Sequence, residues 1–492
     1  MNLPIADWHV HPNLKTYGHS FDRSLSDKSS LWKHDSPGFL KKLLNRVFGL
    51  TRFYQATYAS LHSGGVKIAF VSLYPFEKGF FENGMLNGPL TAFFANMVTG
   101  IGFRRVRHLQ KQLNYFNELE GEMRFLLNAE KSYPRGSEIL SWEISDSWKA
   151  VSQELTKENS LIIIPTIEGS HVFNSGLGAF GKETSEKQVL RNIDRLKNWR
   201  HSPFFITFAH NFSNDFCGHA PSLEKLGPLV NQKPQMGGGF TELGWTVIKS
   251  LLDDRNGRPI LVDLKHMSLQ SRKEIYAWNG NRVKGKSPLI VSHGAVTGCS
   301  WEEKGRFHHP LFCEAEINFY DEDILEIMSS GGFFALQLDA NRLGNSRAIR
   351  KPVFGDKKQG FESSCRLIWA HLRHIGELLD SRGLPAWDQV GLGSDFDGTI
   401  NPLEGIWTAE DFPAMAEGLL LEIERYLDSK NCLSDLNNKY VEPEDILNKF
   451  LFGNTLDFLK KHYSHPAFNP EHEVGKMHQL SHLKILLSSS RG

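Results

Sequence analysis

A chain of 492 residues with 56 Lys+Arg against 56 Asp+Glu carries no formal net charge, which removes the usual electrostatic case for binding nucleic acid or an anionic membrane surface. With 40% apolar and 23% charged residues, it is neither a disordered nor a fibrous chain and can bury a large core. The start, MNLPIADWHV, lacks the basic and apolar regions of a signal peptide, no stretch reaches the roughly 18 apolar residues of a spanning helix, and the end, LKILLSSSRG, is too short and polar for an anchor signal.

Five cysteines (Cys217, Cys299, Cys313, Cys365, Cys432) form no Cys-x-x-Cys pair, so the expectation is a cytoplasmic protein in a reducing compartment with neither nucleic-acid nor membrane partner. Histidine, at 21 residues, is the unusual count and points toward metal chemistry.

Along the chain, short apolar runs recur and end in polar or acidic residues. They are IADWHVH (5 to 11), VKIAFVSLY (66 to 74), LIIIPTIEG (161 to 169), FFITFAHN (204 to 211), PILVDLKH (259 to 266), PLIVSHG (288 to 294), GFFALQL (332 to 338) and QVGLGSDFD (389 to 397). Continuous apolar runs suit parallel strands covered on both faces. Between them lie segments of helical period. In SEKQVLRNIDRLKNW the residues Val189, Ile193, Leu196 and Trp199 share a face, and Ser185 with Gln188 has the capping-box spacing. TELGWTVIKSLL, DEDILEIMSS and SSCRLIWAHLRHIGELL read the same way.

Strand and helix in alternation predict right-handed βαβ units and an α/β fold, a (β/α)₈ barrel, with an open doubly wound sheet as the runner-up. One barrel domain spans 1–465. Residues 12–65 and 75–160 are too long for plain connections and are expected to be insertions in the early βα connections. The second is read as extra helices over one end of the barrel, and either insertion could shape the entrance or a homodimer surface. Residues 466–492 are expected to be a polar arm.

Two pattern matches fail on context. GNRVKGKS (Gly280 to Ser287) fits the phosphate-loop pattern but follows a helical segment and precedes a strand, the reverse of what phosphate cradling needs. GLGAFG (Gly176 to Gly181) sits too far beyond its strand for a dinucleotide turn. The placement of possible metal ligands is more informative. His9 and His11 close the first run, two apart and so on one side of a strand. Glu168 closes the third, His210 the fourth, His266 the fifth, His293 the sixth, and Asp395 with Asp397 the eighth. In a barrel the C-terminal strand ends form one mouth, where chemistry is done. Singly, a strand-end histidine is more often structural than ligating, and Asp395 or Asp397 could cap the next helix. Jointly, the accident would have to recur at six strands.

These residues resemble the membrane (renal-type) dipeptidases of the amidohydrolase superfamily, peptidase family M19. The likeness rests on ADWHVHPNL, TIEGSH, TFAHN, ILVDLKHMS, IVSHGA, HLRHI, GLGSDFDG and FGNTL, in family order over nearly the whole chain. It implies two zinc ions per chain at the mouth of a distorted barrel, or another divalent metal in their place. By position, His9 and residue 11 would bind one ion, Glu168 would bridge both, and His266 with His293 would bind the second. His210 would contact substrate and steady the tetrahedral intermediate, and Asp395 would handle protons.

One ligand departs from the family, which usually has Asp where His11 stands. A neutral imidazole there leaves that site more positive, and the expectation is that Asp395 also coordinates the ion of His9 and His11. The family's substrate-carboxylate arginine is replaced by Ile317, with Arg306 as candidate substitute. The implied activity is hydrolysis of the dipeptide bond by a metal-bridging hydroxide. The alternatives are a metal-dependent amidohydrolase of another small amide, N-acyl amino acid or lactone, and a noncatalytic metal-binding barrel.

Overall fold

The computed structural model describes residues 3–463, apart from 34, 50, 83–86, 224–229, 283–284, 350–355 and 430–432. The expected arm at 466–492 lies outside the described residues. Ten strands are numbered in chain order: β1 (Ile5–Val10), β2 (Val66–Leu73), β3 (Ser132–Arg135), β4 (Glu138–Ile144), β5 (Ser160–Glu168), β6 (Phe205–Thr207), β7 (Leu261–Asp263), β8 (Leu289–Gly294), β9 (Phe333–Leu336) and β10 (Val390–Leu392).

Eight of them pair in parallel in the cyclic order β1, β2, β5, β6, β7, β8, β9, β10, with β10 returning to β1. The sheet therefore closes as a (β/α)₈ barrel, and each of its strands is one of the eight apolar runs. The two rejected motifs also fall as expected: the helix Leu269–Gly280 precedes the first and β8 follows it, while the second holds only a short 3₁₀ turn, Gly178–Phe180.

Side chains alternate across a strand, and the inward set is layered. At the floor, Ala6, Trp8, Ile68, Phe70, Ile162, Ile164, Phe205, Leu261, Ile290, Phe333 and Ala335 make one buried cluster. Trp8 stacks on Phe70 at 4.5 Å and on Phe333 at 4.0 Å between ring centroids. Its indole N–H donates to Thr455 Oγ1 at 2.8 Å, fastening the helix Asn454–His462 beneath the barrel. Two residues further along three strands, Thr207, Asp263 and Ser292 form a polar layer, both hydroxyls donating to Asp263 Oδ2, at 2.5 and 2.6 Å. The mouth lies beyond them.

The outer helices bury the faces their period implies: Val189, Ile193 and Leu196 on Glu186–Lys197, and Ile368, Leu372, Ile375 and Leu379 on Lys357–Asp380. Ser185 occupies the N-cap, as its spacing suggests, but its side chain makes no cap bond. No helix among the described residues is long and apolar enough to cross a membrane.

The first insertion holds the helices Pro12–Ser20, Phe39–Phe48 and Tyr58–Ser63. Buried Asp397 ties it to the barrel, accepting from Lys15 Nζ at 2.8 Å and from the amides of Gln55 and Ala56 at 3.0 and 2.9 Å. The second holds Gly88–Thr99, Phe103–Leu109, Tyr115–Leu127 and Trp148–Glu154. It also contains the β3–β4 hairpin, which a purely helical reading of 75–160 does not include. β4 pairs in parallel with Ser160 to Ile163 of β5. β6 takes the same edge further on, at Ile167 and Glu168.

Candidate metal centre

Six strand ends deliver side chains to one buried place. The register of β1 against β2 shifts between Asp7 and Val10, where His9 lies, and His9 Nε2 lies 3.0 Å from His11 Nε2. Glu168, at the end of β5, is the centre of the arrangement. Its oxygens lie 3.5 Å from His9 Nε2, 3.3 Å from His11 Nε2, 3.5 Å from His210 Nε2, 3.6 Å from His266 Nε2 and 3.5 Å from His293 Nε2. Asp395 Oδ1 is 3.7 Å from His11 Nε2.

These separations are long for hydrogen bonds. They match the roughly 3.4 Å edge between two ligand atoms that each sit about 2.1 Å from a tetrahedral ion. Three sets have all their ligand atoms within 4.8 Å: His9, His11 and Asp395; His9, Glu168 and His293; Glu168, His210 and His266. The donor set of imidazoles and carboxylates suits zinc or a similar divalent ion.

Electrostatics prepares the donors. Burial keeps His266 and His293 well below the usual histidine range, so both rings are neutral and able to ligate. Burial would raise Glu168, but the charge of His210 and the bond and charge of His11 hold it well below the carboxylate range, ionised. Asp395 goes the other way, raised by burial and by the negative charge of Glu168. Burial would likewise lower His210, yet the charges of Glu77 and Glu168 raise it. Glu77 Oε2 lies 2.5 Å from His210 Nδ1 and Glu77 Oε1 accepts from Phe212 N. Glu77 is held at about 2 because His210 outweighs the penalty of its own burial.

One hydroxyl orients two ligands. Ser292 Oγ lies 3.1 Å from His9 Nδ1 and 2.9 Å from His293 Nδ1 and donates to Asp263 Oδ2. With the serine proton committed to Asp263, the hydroxyl accepts from both Nδ1–H groups and leaves both Nε2 atoms free to ligate. Backbone strain accompanies the site: His266 and Asp395 have φ of 68° and 61°, a region non-glycine residues rarely enter. Gly169, at φ 91°, follows Glu168 where a Cβ would lie 2.3 Å from His171 Nδ1.

The structure thus brings together His9, His11, Glu168, His210, His266, His293 and Asp395. Arg306 is exposed, and no polar contact found among the described residues links its side chain to the cluster. Four residues of this site are not singled out by sequence reasoning. Glu77 looks like a loop carboxylate, Asp263 and Ser292 hide inside apolar runs, and Lys265 reads as a surface cation. Lys265 is 1% exposed, its Nζ has no hydrogen-bond partner among the described residues, and burial lowers it to about 7.

The model of the membrane dipeptidase family, peptidase family M19, matches residues 50–431. The chain belongs to that family. The matched span contains Glu168, His210, His266, His293 and Asp395, while His9 and His11 precede it. Among curated relatives, dipeptidase verJ of Clonostachys rogersoniana is 25% identical over 232 residues, 47% of this chain and 45% of that one. The chain spans about half the length of this curated relative in the match.

The crystal structure of dipeptidase AC, a metallopeptidase of the same family, superposes with a TM-score of 0.52 at 16% identity, covering 94% of this chain and 99% of that one. A metallopeptidase from Rhodobacter sphaeroides, liganded with a phosphinate mimic of the dipeptide L-Ala-D-Ala, gives 0.50 at 16% identity over 94% and 100%. At that identity the likeness is one of fold.

Proposed function

We propose that this M19 member is a dipeptidase working with two divalent ions, zinc by donor chemistry. The observation that carries the reading is the crowding of five histidine Nε2 atoms around the Glu168 carboxylate, with Asp395 beside them. His9, His11, Asp395 and Glu168 would hold one ion, and Glu168, His266 and His293 the other. Bound there, the ions supply a Lewis acid for the scissile carbonyl and lower the pKa of water toward neutrality.

The protein's own groups do the rest. Asp395, as the ionised carboxylate, takes the proton of the attacking water and returns it to the leaving amine. Its grouping with His9 and His11 supports a ligand role as well, which would offset the charge lost with the imidazole of His11. Glu77 fixes the His210 ring and favours its charged form, so Nε2–H donates to the oxygen that becomes negative when the carbonyl is attacked. One such donor is commonly worth about 3 kcal/mol. Products are two amino acids.

A second reading makes His210 a ligand, favoured by its grouping with Glu168 and His266. Metal content of His210→Ala separates the two: two ions per chain with a low kcat supports the donor role, and loss of metal supports the ligand role. The function itself is tested by metal analysis of the purified protein and by hydrolysis of L,L and L,D dipeptides beside N-acyl amino acids and lactones. Two ions per chain and a preference for dipeptides are expected. Preferential turnover of another class on the panel overturns the substrate, and a metal-free chain overturns the centre.

A further inference from the structure

We propose that the Lys265 ammonium, supported by the Arg342 guanidinium, anchors the C-terminal carboxylate of the substrate. The proposal deepens the dipeptidase reading and rests on it. Lys265 stands two residues beyond Asp263, whose Oδ2 faces the polar layer inside the barrel, and its amide donates to Asp263 Oδ1. It immediately precedes His266, and its charge acts on His266, His293 and Asp395 alike.

The side chain is buried, yet Nζ has no hydrogen-bond partner and no carboxylate oxygen within ion-pair range among the described residues. Burying an ammonium with none of its three protons accepted is costly. A ligand that brings an acceptor removes that cost.

Arg342 is the second observation. It lies in the short helix Ala340–Leu343 after β9, so Lys265 and Arg342 come from the strands on either side of β8, which carries His293. Among the described residues the guanidinium gives one bond, Nη2 to Ser222 O at 2.7 Å, and its Nε is 4.0 Å from Asp339 Oδ2. Asp339 is itself engaged, its Oδ1 accepting from the amides of Asn341 and Asn401.

Arg342 is the like charge felt by Lys265, and the nearby carboxylates of Asp395, Asp339 and Asp263 oppose it without any of their oxygens coming within hydrogen-bond range of Nζ among the described residues. With divalent ions bound by Glu168 and Asp395, the mouth carries excess positive charge on this side, and a carboxylate is the group of a dipeptide that meets it.

The test compares a free dipeptide with its C-terminal carboxamide on zinc-loaded protein. Wild type should favour the free acid, and Lys265→Met should lower kcat/KM for the acid about a hundredfold, mainly through KM, while leaving the amide nearly unchanged. Zinc should remain at two ions per chain and Tm should not fall, because an unpartnered buried cation has been replaced by an apolar chain of similar length. Lys265→Arg should keep part of the preference.

An unchanged acid-to-amide ratio, or an equal drop for both, overturns the proposal. Wild type that turns over dipeptides without preferring the acid overturns it too. If wild type cleaves neither compound, the dipeptidase reading itself has failed. Should Lys265→Met not fold, Arg342→Gln, at a half-buried position outside the barrel interior, carries the same comparison with a smaller loss of preference.

Discussion

The floor and the mouth of this barrel are built from the same strands, a few residues apart, and they solve opposite problems. On β1, Trp8 lies in a stack of aromatic rings while His9, one residue on, lies among imidazoles around a carboxylate. The floor gains from burial and dispersion, which are non-directional and tolerate repacking. The mouth concentrates polar groups that are costly to bury without a partner, and several remain unpaired among the described residues: His11 Nδ1, His266 Nδ1 and Lys265 Nζ. Stability is thus placed at one end of the strands and chemistry at the other.

The sharpest way to break that division is a pair of truncations. Glu168→Ala removes the centre of the cluster, and both ions and all turnover should be lost while the chain stays folded. Metal analysis with circular dichroism checks this, and two retained ions would end the bridging assignment. Trp8→Ala should do the reverse, costing about 3–5 kcal/mol in urea unfolding while the folded fraction keeps its metal. If Trp8→Ala also empties the centre, floor and mouth are not separable.

A smaller effect sharpens the boundary between them. Ser292 in the polar layer touches no ion in the proposed centre but holds His9 and His293, which belong to different ions. Ser292→Ala should weaken both metal affinities about 10–100-fold, read by chelator competition. Weakening of one ion alone would mean that the hydroxyl orients only one ring.

The legibility of this molecule in its sequence follows the same division. Runs such as LIIIPTIE are apolar throughout because both faces of their strands are covered, and so all eight barrel strands stand out. The ligands stand out because each interrupts such a run at its end. What supports them does not. Asp263 sits inside PILVDLKH, where a single acid reads as the end of a strand, and its bonds to Thr207 and Ser292 cross between strands. Glu77 lies beyond the end of β2, 133 positions from His210, a pairing no local spacing encodes. The β3 strand, SYPR, is exposed at every position, so neither alternation nor apolarity marks it. Lys265 is the clearest case, since burial of a lysine is a property of the fold and leaves no trace in the pattern.

The smallest effect contrasts two acids one turn apart on the helix Tyr115–Leu127. Glu118 is buried among partners: His108 Nε2 lies 2.6 Å from Oε1, Gln112 donates to the same oxygen, and Arg105 pairs with Oε2. Burial would raise its pKa, but these partners bring it down to about 2. A carboxyl depressed in the folded state stabilises fully above its unfolded value, about 4.5, and loses that contribution as pH falls toward 2.

Among the described residues Glu122 has only the Tyr74 amide on Oε2 at 2.9 Å, and burial pushes it up to about 7. Its ionised form penalises folding fully above pH 7 and not at all below about 4.5. Glu118→Gln should therefore destabilise at pH 7, with the difference from wild type shrinking on acidification. Glu122→Gln in metal-free protein should stabilise at pH 8, with its difference vanishing by pH 4.5. Urea unfolding at stepped pH reads both. Parallel pH trends in the two variants would mean that the helix over the mouth responds to net charge and not to the partners of each acid.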